Sequence, residues 1–305
     1  MSAAIAPEFA PRVLRDEPMS RHTSWHVGGP ADLFFTPRDR SDLAAFMRAL
    51  PEHMPVHWVG LGSNLLVRDG GLRGAVISTQ GTLEKLERLT DTTVYAEAGV
   101  ACARIARQCV RWGMGPAEFF VGIPGTLGGA LAMNAGAFGG ETWSHVLDVE
   151  TLDRTGGERR RAPAEFEISY RHVRPLTSRE EWFIAARLEF EPLPEQDEAR
   201  MRELLARRKA SQPIGEWSCG SVFTNPPGDH AARLIDAAGL KGARIGGASV
   251  SVKHANFIIN DGNATAEDLE RLIRHVQEVV ERTHGVSLKP EVRIVGERRP
   301  DVAQA

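Results

Sequence analysis

Between Gly122 and Gly140 the chain places seven glycines, at positions 122, 125, 128, 129, 136, 139 and 140. No regular element carries that density in its interior without cost, because glycine loses more backbone freedom on ordering than any other residue. The stretch Gly122-Ile-Pro-Gly-Thr-Leu-Gly-Gly129 therefore reads as a loop system. A second glycine stretch, Trp58-Val-Gly-Leu-Gly-Ser-Asn-Leu-Leu66, runs from a strand into Gly60-Leu-Gly62-Ser63-Asn64, with Asp69-Gly70-Gly71 just beyond. Such loops let backbone N–H groups approach an anionic or planar ligand with no Cβ in the way. One glycine pair alone marks a tight turn. Two segments in one domain, with Ser63 and Asn64 as extra donors, favour a phosphate-bearing ligand lying over both.

Neither segment is a standard nucleotide fingerprint. The first lacks the third glycine of G-x-G-x-x-G, and no helical pattern opens from it. The second lacks the Gly-Lys-Ser/Thr ending of a P-loop, so nucleoside triphosphate hydrolysis loses its main support. The charge balance, 37 Lys+Arg against 40 Asp+Glu, offers no basic excess for nucleic acid. Cys102, Cys109 and Cys219 form no C-x-x-C, and the ten histidines form no H-E-x-x-H. Neither a disulfide framework nor a metal centre is expected. No apolar run nears the ~18 residues of a membrane span. Pro7, Glu8 and Pro11 interrupt the N-terminal stretch where a signal peptide would be apolar, so a cytoplasmic protein is expected.

The elements alternate as in an α+β protein. Asp32–Thr36, Val56–Val59, Gly74–Ile77 and Thr93–Glu97 read as strands, and Trp182 to Phe190 alternates like a half-buried one. Leu43, Phe46, Met47 and Leu50 give a helix over Ser41–Leu50, stopped by Pro51. A second helix covers Val100–Trp112 and ends at Gly113. The proline-punctuated acidic segment Glu191–Glu198 marks a boundary. Beyond it come a basic helical stretch, Ala199–Lys209, and an amphipathic helix capped by Thr265 and Asp268 and closed by Gly285. A strand at Glu291–Val295 follows, and the last several residues read as a frayed tail.

Three residues from distant places could serve enol or enolate chemistry. Arg171 could polarise a carboxylate, Ser221 could deliver a proton, and Glu291 could tune both. Each also has an ordinary reading. Tyr170-Arg171 suits a solvated pair, Gly220-Ser221 suits a turn, and Glu291 suits an exposed strand start. Ser221 lacks the G-x-S-x-G context of a hydrolase nucleophile, and nothing near Cys219 lowers its pKa.

Several motifs, in order, resemble the UDP-N-acetylenolpyruvoylglucosamine reductase family. They are His26-Val-Gly-Gly-Pro-Ala31, Gly60-Leu-Gly-Ser-Asn-Leu-Leu66, Gly122-Ile-Pro-Gly-Thr-Leu-Gly-Gly129, Asn134-Ala-Gly-Ala137, Ser169-Tyr-Arg171, Gly220-Ser-Val-Phe223, Ala238-Gly-Leu-Lys-Gly242, His254-Ala-Asn-Phe257 and Pro290-Glu-Val-Arg293. The resemblance spans His22 to Gly296. It implies an α+β fold: an FAD-binding domain of the vanillyl-alcohol-oxidase (PCMH) type over residues 22–192, in subdomains of about 22–80 and 81–192, and a smaller substrate domain over 199–298.

It further implies non-covalent FAD held by Gly60, Leu61, Gly62, Ser63, Asn64, Leu65, Gly122, Pro124, Gly125, Gly129, Asn134 and Gly136. NADPH is the implied co-substrate and a UDP-sugar enol ether the substrate, contacted by Tyr170, Arg171, Lys209, Asn225 and Asn256. Ser221 becomes the proton donor, with Arg171 and Glu291 stabilising the intermediate. The expected setting is cytoplasmic peptidoglycan precursor synthesis by a monomer with no nucleic-acid or membrane partner.

The chain departs from the family at Ser211, before a Gln-Pro pair where Lys or Thr is often found, and at Thr224, where a basic residue is common. Lys209 and Arg208 lie close enough in sequence to replace a diphosphate contact. Its two tyrosines, Tyr95 and Tyr170, both precede Ser221, which resembles the shorter subclass without a tyrosine loop. Two other readings stand beside this one: a flavin oxidase of the same fold, and a catalytically silent nucleotide-sugar or flavin-binding module.

Overall fold

A computed structural model describes residues 5–193 and 198–299. The chain divides into two units, one drawn from Met1–Val13, Phe35–Gly60 and Ile77–Arg208, the other from Leu14–Phe34, Leu61–Val76 and Lys209–Ala305. Of the expected boundary at 191–198, residues 194–197 lie outside the described residues, as does the expected tail from 300 onward.

In the first unit, helix α1 (Arg40–Ala49) starts one residue before the sequence reading places it, because Asp39 caps it by accepting the Asp42 N–H at 2.8 Å. Helix α2 covers Cys102–Arg111, and Gly113 follows at φ +70°. A third helix, α3 (Leu127–Met133), begins inside the stretch expected to be loop. Packing accounts for one of its two glycines, Gly128. A Cβ on Gly128 would sit 2.9 Å from the Ala98 Cβ, so the helix approaches that segment only through glycine. Helix α4 runs Ala199–Ser211, two residues past its expected end, with residues 209–211 assigned to the second unit.

These helices accompany a five-stranded antiparallel sheet in the order Glu158–Arg161, Val146–Asp153, Glu181–Glu189, Thr93–Glu97, Leu86–Arg88. Alternation decides its faces. Val94, Ala96, Val149, Ala186 and Leu188 enter a core with Ile105 and Cys109 of α2 and Leu127 and Leu131 of α3. The intervening Tyr95 belongs to an ionic network, where Arg40 donates to the Tyr95 hydroxyl at 2.8 Å and to Glu150 at 2.6 Å.

The second unit contains α5 (Ala231–Ala237) and α6 (Ala266–His284). The Thr265–Asp268 capping box forms as expected, and Gly285 closes α6 at φ +66°. Leu269, Leu272, Ile273, Val276 and Val280 are buried with Leu234, Ile235, Val222, Phe223 and Trp25. Each contributes about 1.5–3 kcal/mol by leaving water. Asp69 adds a cap from a distant loop, accepting the N–H of Ala266 at 3.1 Å and of Glu267 at 3.0 Å. Arg68 reinforces that link with Glu270 at 2.8 Å.

Leu65–Val67 pairs in parallel with Arg293–Val295. That second strand is shorter than the expected Glu291–Val295. The N–H groups of Glu291 and Val292 instead go to the Val222 carbonyl, at 2.7 and 3.4 Å. Among the described residues no helix is long and apolar enough to cross a membrane.

Candidate active site

Within the first unit the two glycine segments meet. A Cβ on Gly60 would lie 2.5 Å from the Thr126 hydroxyl oxygen. Thr126 is buried at the start of α3, yet its hydroxyl does not cap that helix. Gly122 packs against Ala137 and Phe138, and Gly136 against the Gly140 carbonyl. Gly125 is spent on backbone bonds to Ile123 and Cys102, each 2.9 Å, and Pro124 is exposed. Gly129 differs. It is exposed in α3, and a Cβ there would meet nothing within 4 Å. A glycine in a helix costs about 1 kcal/mol relative to alanine, and no packing among the described residues accounts for it.

Asn134 ends α3 in the left-handed region at φ +45°. Its side chain is buried and organises the surrounding turn. It donates to Glu141 at 3.0 Å and to the Ser169 carbonyl at 3.2 Å, and accepts the Trp143 N–H at 3.1 Å. Arg171 occupies the two-residue turn between strands Phe166–Ser169 and His172–Pro175, at φ +56°. Its guanidinium donates to the carbonyls of Asn134 at 3.0 Å and Gly136 at 2.9 Å, 3.9 Å from the Glu141 carboxylate. The exposed Tyr170 ring lies 4.8 Å from that guanidinium. The structure therefore joins Arg171 to the end of the glycine segment. Glu141 and Thr126 were missed from sequence, where a carboxylate beside Gly139-Gly140 and a threonine before an apolar run look unremarkable.

In the second unit, Gly62 has φ +61° and lies so close to the His22 carbonyl that a side chain would overlap it. Leu61 is exposed and Ser63 partly buried, and Leu65 opens the strand to Val67. Asn64 reaches the Glu291 segment twice. Its amide donates to the Glu291 carbonyl at 3.0 Å, and its own carbonyl accepts the Arg293 N–H at 3.0 Å. Glu291 in turn donates its N–H to the Val222 carbonyl at 2.7 Å, directly after Ser221. One run of hydrogen bonds thus joins Asn64, Glu291 and Val222, the residue after Ser221. The Ser221 side chain is half-buried, and among the described residues its hydroxyl has no hydrogen-bond partner.

Burial, reinforced by the Glu291 charge, pushes the Cys219 thiol well above its ordinary pKa. Cys219 is therefore no nucleophile at neutral pH.

The remaining expected contacts have assigned places. Asn225 is exposed and accepts the Ala231 N–H at 3.1 Å, at the start of α5. Lys209 is exposed, and its carbonyl accepts from the Lys253 ammonium at 2.6 Å, which puts a second cation beside it. Thr224 commits both its N–H and its hydroxyl to the Lys289 carbonyl, at 3.0 and 3.3 Å. Asn256 is buried, with its amide bonded to Phe223. Arg171 and Tyr170 belong to the first unit, and Ser221, Glu291, Asn225 and Asn256 to the second.

Two family models match the chain: an FAD binding domain over residues 31–162, and the C-terminal domain of UDP-N-acetylenolpyruvoylglucosamine reductase over residues 212–295. The chain is 62% identical over 282 residues to the UDP-N-acetylenolpyruvoylglucosamine reductase of Alkalilimnicola ehrlichii, covering 92% of this chain and 94% of that one. The protein of the same name from Methylococcus capsulatus is 57% identical over 285 residues, 93% of each chain. Among solved structures, UDP-N-acetylenolpyruvylglucosamine reductase from Thermus caldophilus superposes with a TM-score of 0.77 at 33% identity, over 93% of this chain and 98% of that one.

Proposed function

The chain belongs to the UDP-N-acetylenolpyruvoylglucosamine reductase family, and from that premise we propose that it reduces the enolpyruvyl ether of UDP-N-acetylglucosamine to UDP-N-acetylmuramate at the expense of NADPH. It is an oxidoreductase with an FAD-binding domain, working in peptidoglycan precursor synthesis. Its residues fit a flavin nucleotide: Gly129 leaves open the space that a Cβ would fill, and Gly60 lies against the uncapping Thr126 hydroxyl. Bound FAD supplies the hydride that NADPH provides.

The chain's own residues complete the reduction. Hydride addition at one alkene carbon moves the π pair toward the substrate carboxylate, where negative charge develops. Arg171 offers a guanidinium held from behind by two backbone carbonyls, suited to a carboxylate. The Ser221 hydroxyl gives its proton to the second carbon and regains one from solvent. Glu291, one backbone bond from Val222, sets the local charge. Tyr170, Lys209 and Asn225 contact the UDP-sugar, with FAD-binding domain 22–192 and substrate domain 199–298 as the working division.

The observation that carries this reading is the uncommitted Ser221 hydroxyl on a segment bonded to Glu291. Following the flavin's visible absorbance tests it. NADPH should bleach the holoenzyme, and the enolpyruvyl substrate should restore the colour. Ser221→Ala should bleach normally and recover slowly; equal loss in both steps removes Ser221 from proton delivery.

A further inference from the structure

Asn256 makes three hydrogen bonds to the two residues that follow Ser221. Its side-chain amide donates to the Phe223 carbonyl at 2.8 Å and accepts the Phe223 N–H at 2.9 Å. Its own carbonyl accepts the Val222 N–H at 2.9 Å. The side chain is 4% exposed, and an amide committed in this way does not turn toward a ligand without stranding a buried N–H and C=O. On the other side of Ser221 stands Gly220, at φ +79° with nothing within 4 Å of where a Cβ would be. Ser221 therefore sits between a pivot at Gly220 and a lock at Val222–Phe223. The lock is completed at the Val222 carbonyl, which accepts the N–H of Glu291 at 2.7 Å and of Val292 at 3.4 Å.

We propose that Asn256 is the positioning residue for Ser221: by pairing with Phe223 as a strand would, it fixes the Ser221 hydroxyl relative to Glu291 without touching substrate. The inference rests on Ser221 as the proton donor. Among the described residues no strand neighbour supplies the pairing that Phe223 receives from Asn256; its bridge to Pro290 is an isolated one. A displacement of about 1 Å at a reacting group costs about 100-fold in rate, so the lock matters for catalysis even where the fold tolerates its loss.

Asn256→Asp keeps an acceptor for the Phe223 N–H and replaces the donor with a carboxylate facing the Phe223 carbonyl. Reoxidation of the reduced holoenzyme by substrate should slow about 10- to 100-fold at pH 8. Flavin bleaching by NADPH, FAD retention and substrate affinity, read from the oxidised flavin's spectral shift, should stay within about twofold. The rate should recover as the pH falls toward about 5, because protonation restores the donor and a carbonyl neighbour raises that carboxyl's pKa. On a Ser221→Ala background the same substitution should cost less than about twofold more, since no hydroxyl remains to position.

Asn256→Leu, which keeps the branched shape without the polar atoms, should show the loss without recovery; if it does not fold, the aspartate series decides. Weakened substrate binding with the rate kept, additive losses with Ser221→Ala, or a pH-independent defect would each overturn the inference. A wild-type chain that bleaches but never reoxidises with substrate overturns the functional reading, and this inference with it.

Discussion

Gly60 and Thr126 approach so closely that a Cβ on Gly60 would lie 2.5 Å from the Thr126 hydroxyl oxygen. The contact joins the two glycine segments, and each side suits the other only because position 60 carries no side chain. Gly60→Ala should therefore force the segments apart, at a cost of about 1–3 kcal/mol, and weaken FAD binding at least about tenfold. Thr126→Ala should relieve the packing part of that cost. Fluorescence titration of apoprotein with FAD, run as a double-mutant cycle, measures both effects. Additive losses would show that the two residues do not act through this contact.

Gly129 makes the opposite case. It is exposed in α3 with open space where a Cβ would be, so alanine should stabilise the apoprotein by about 0.5–1 kcal/mol through helix propensity. If the space belongs to the cofactor, the same change should lower FAD affinity. A raised apoprotein Tm together with a higher FAD Kd is the expected pair. Unchanged affinity would remove Gly129 from the cofactor site.

Arg171 donates from two different nitrogens to the carbonyls of Asn134 and Gly136, and a lysine ammonium cannot reproduce that planar fork. Arg171→Lys should slow substrate-driven flavin reoxidation about 10- to 100-fold and leave FAD retention nearly intact. Release of FAD on dialysis would instead mark Arg171 as a support of the glycine segment alone.

The parts of the fold that were legible in the sequence are those whose causes are local. Thr265, Asp268 and Gly285 specify the ends of α6 through contacts within a turn or so of chain, and its apolar face repeats every three to four residues. Helix α3 was not legible, because Gly128 is explained by Ala98, which is distant in the chain, and Gly129 opens onto space that no sequence pattern announces. The site divided along the same line. Ser221, Arg171 and Glu291 were candidates by residue type and took roles only through the resemblance, whereas the bonds of Asn256, Glu141 and Asp69 run to partners brought near only by folding. Asp69 is the extreme case: it caps a helix that starts nearly 200 residues later.

All three cysteines are buried. Burial pushes the thiols of Cys102 and Cys109 up to about 12, and burial with the Glu291 charge pushes Cys219 well above its ordinary value. The native protein should resist alkylation by iodoacetamide at pH 8 and release three reactive thiols only in denaturant. Rapid labelling of Cys219 in the native state would mean that the Ser221–Glu291 segment opens readily.

Acid stability should depend on a pair far from this chemistry in sequence. Asp42 accepts from both terminal nitrogens of Arg12 at 2.7 Å and from the Arg38 N–H at 2.9 Å. The Arg12 hydrogen bonds are the main cause holding its pKa down, from an ordinary 3.8 to about 2. The folded state thus keeps Asp42 ionised over a range where the unfolded chain binds the proton. Its contribution, on the order of 2 kcal/mol, is complete above about pH 4 and is lost as the pH falls from 4 toward 2. Arg12→Met should lower stability at pH 7 by about 1–2 kcal/mol and flatten the acid limb, because Asp42 then titrates closer to its unfolded value. Urea denaturation at pH 7, 4 and 2.5 decides the matter: wild-type and variant curves should converge toward low pH, and a constant offset between them would exclude this pair as a source of the acid sensitivity.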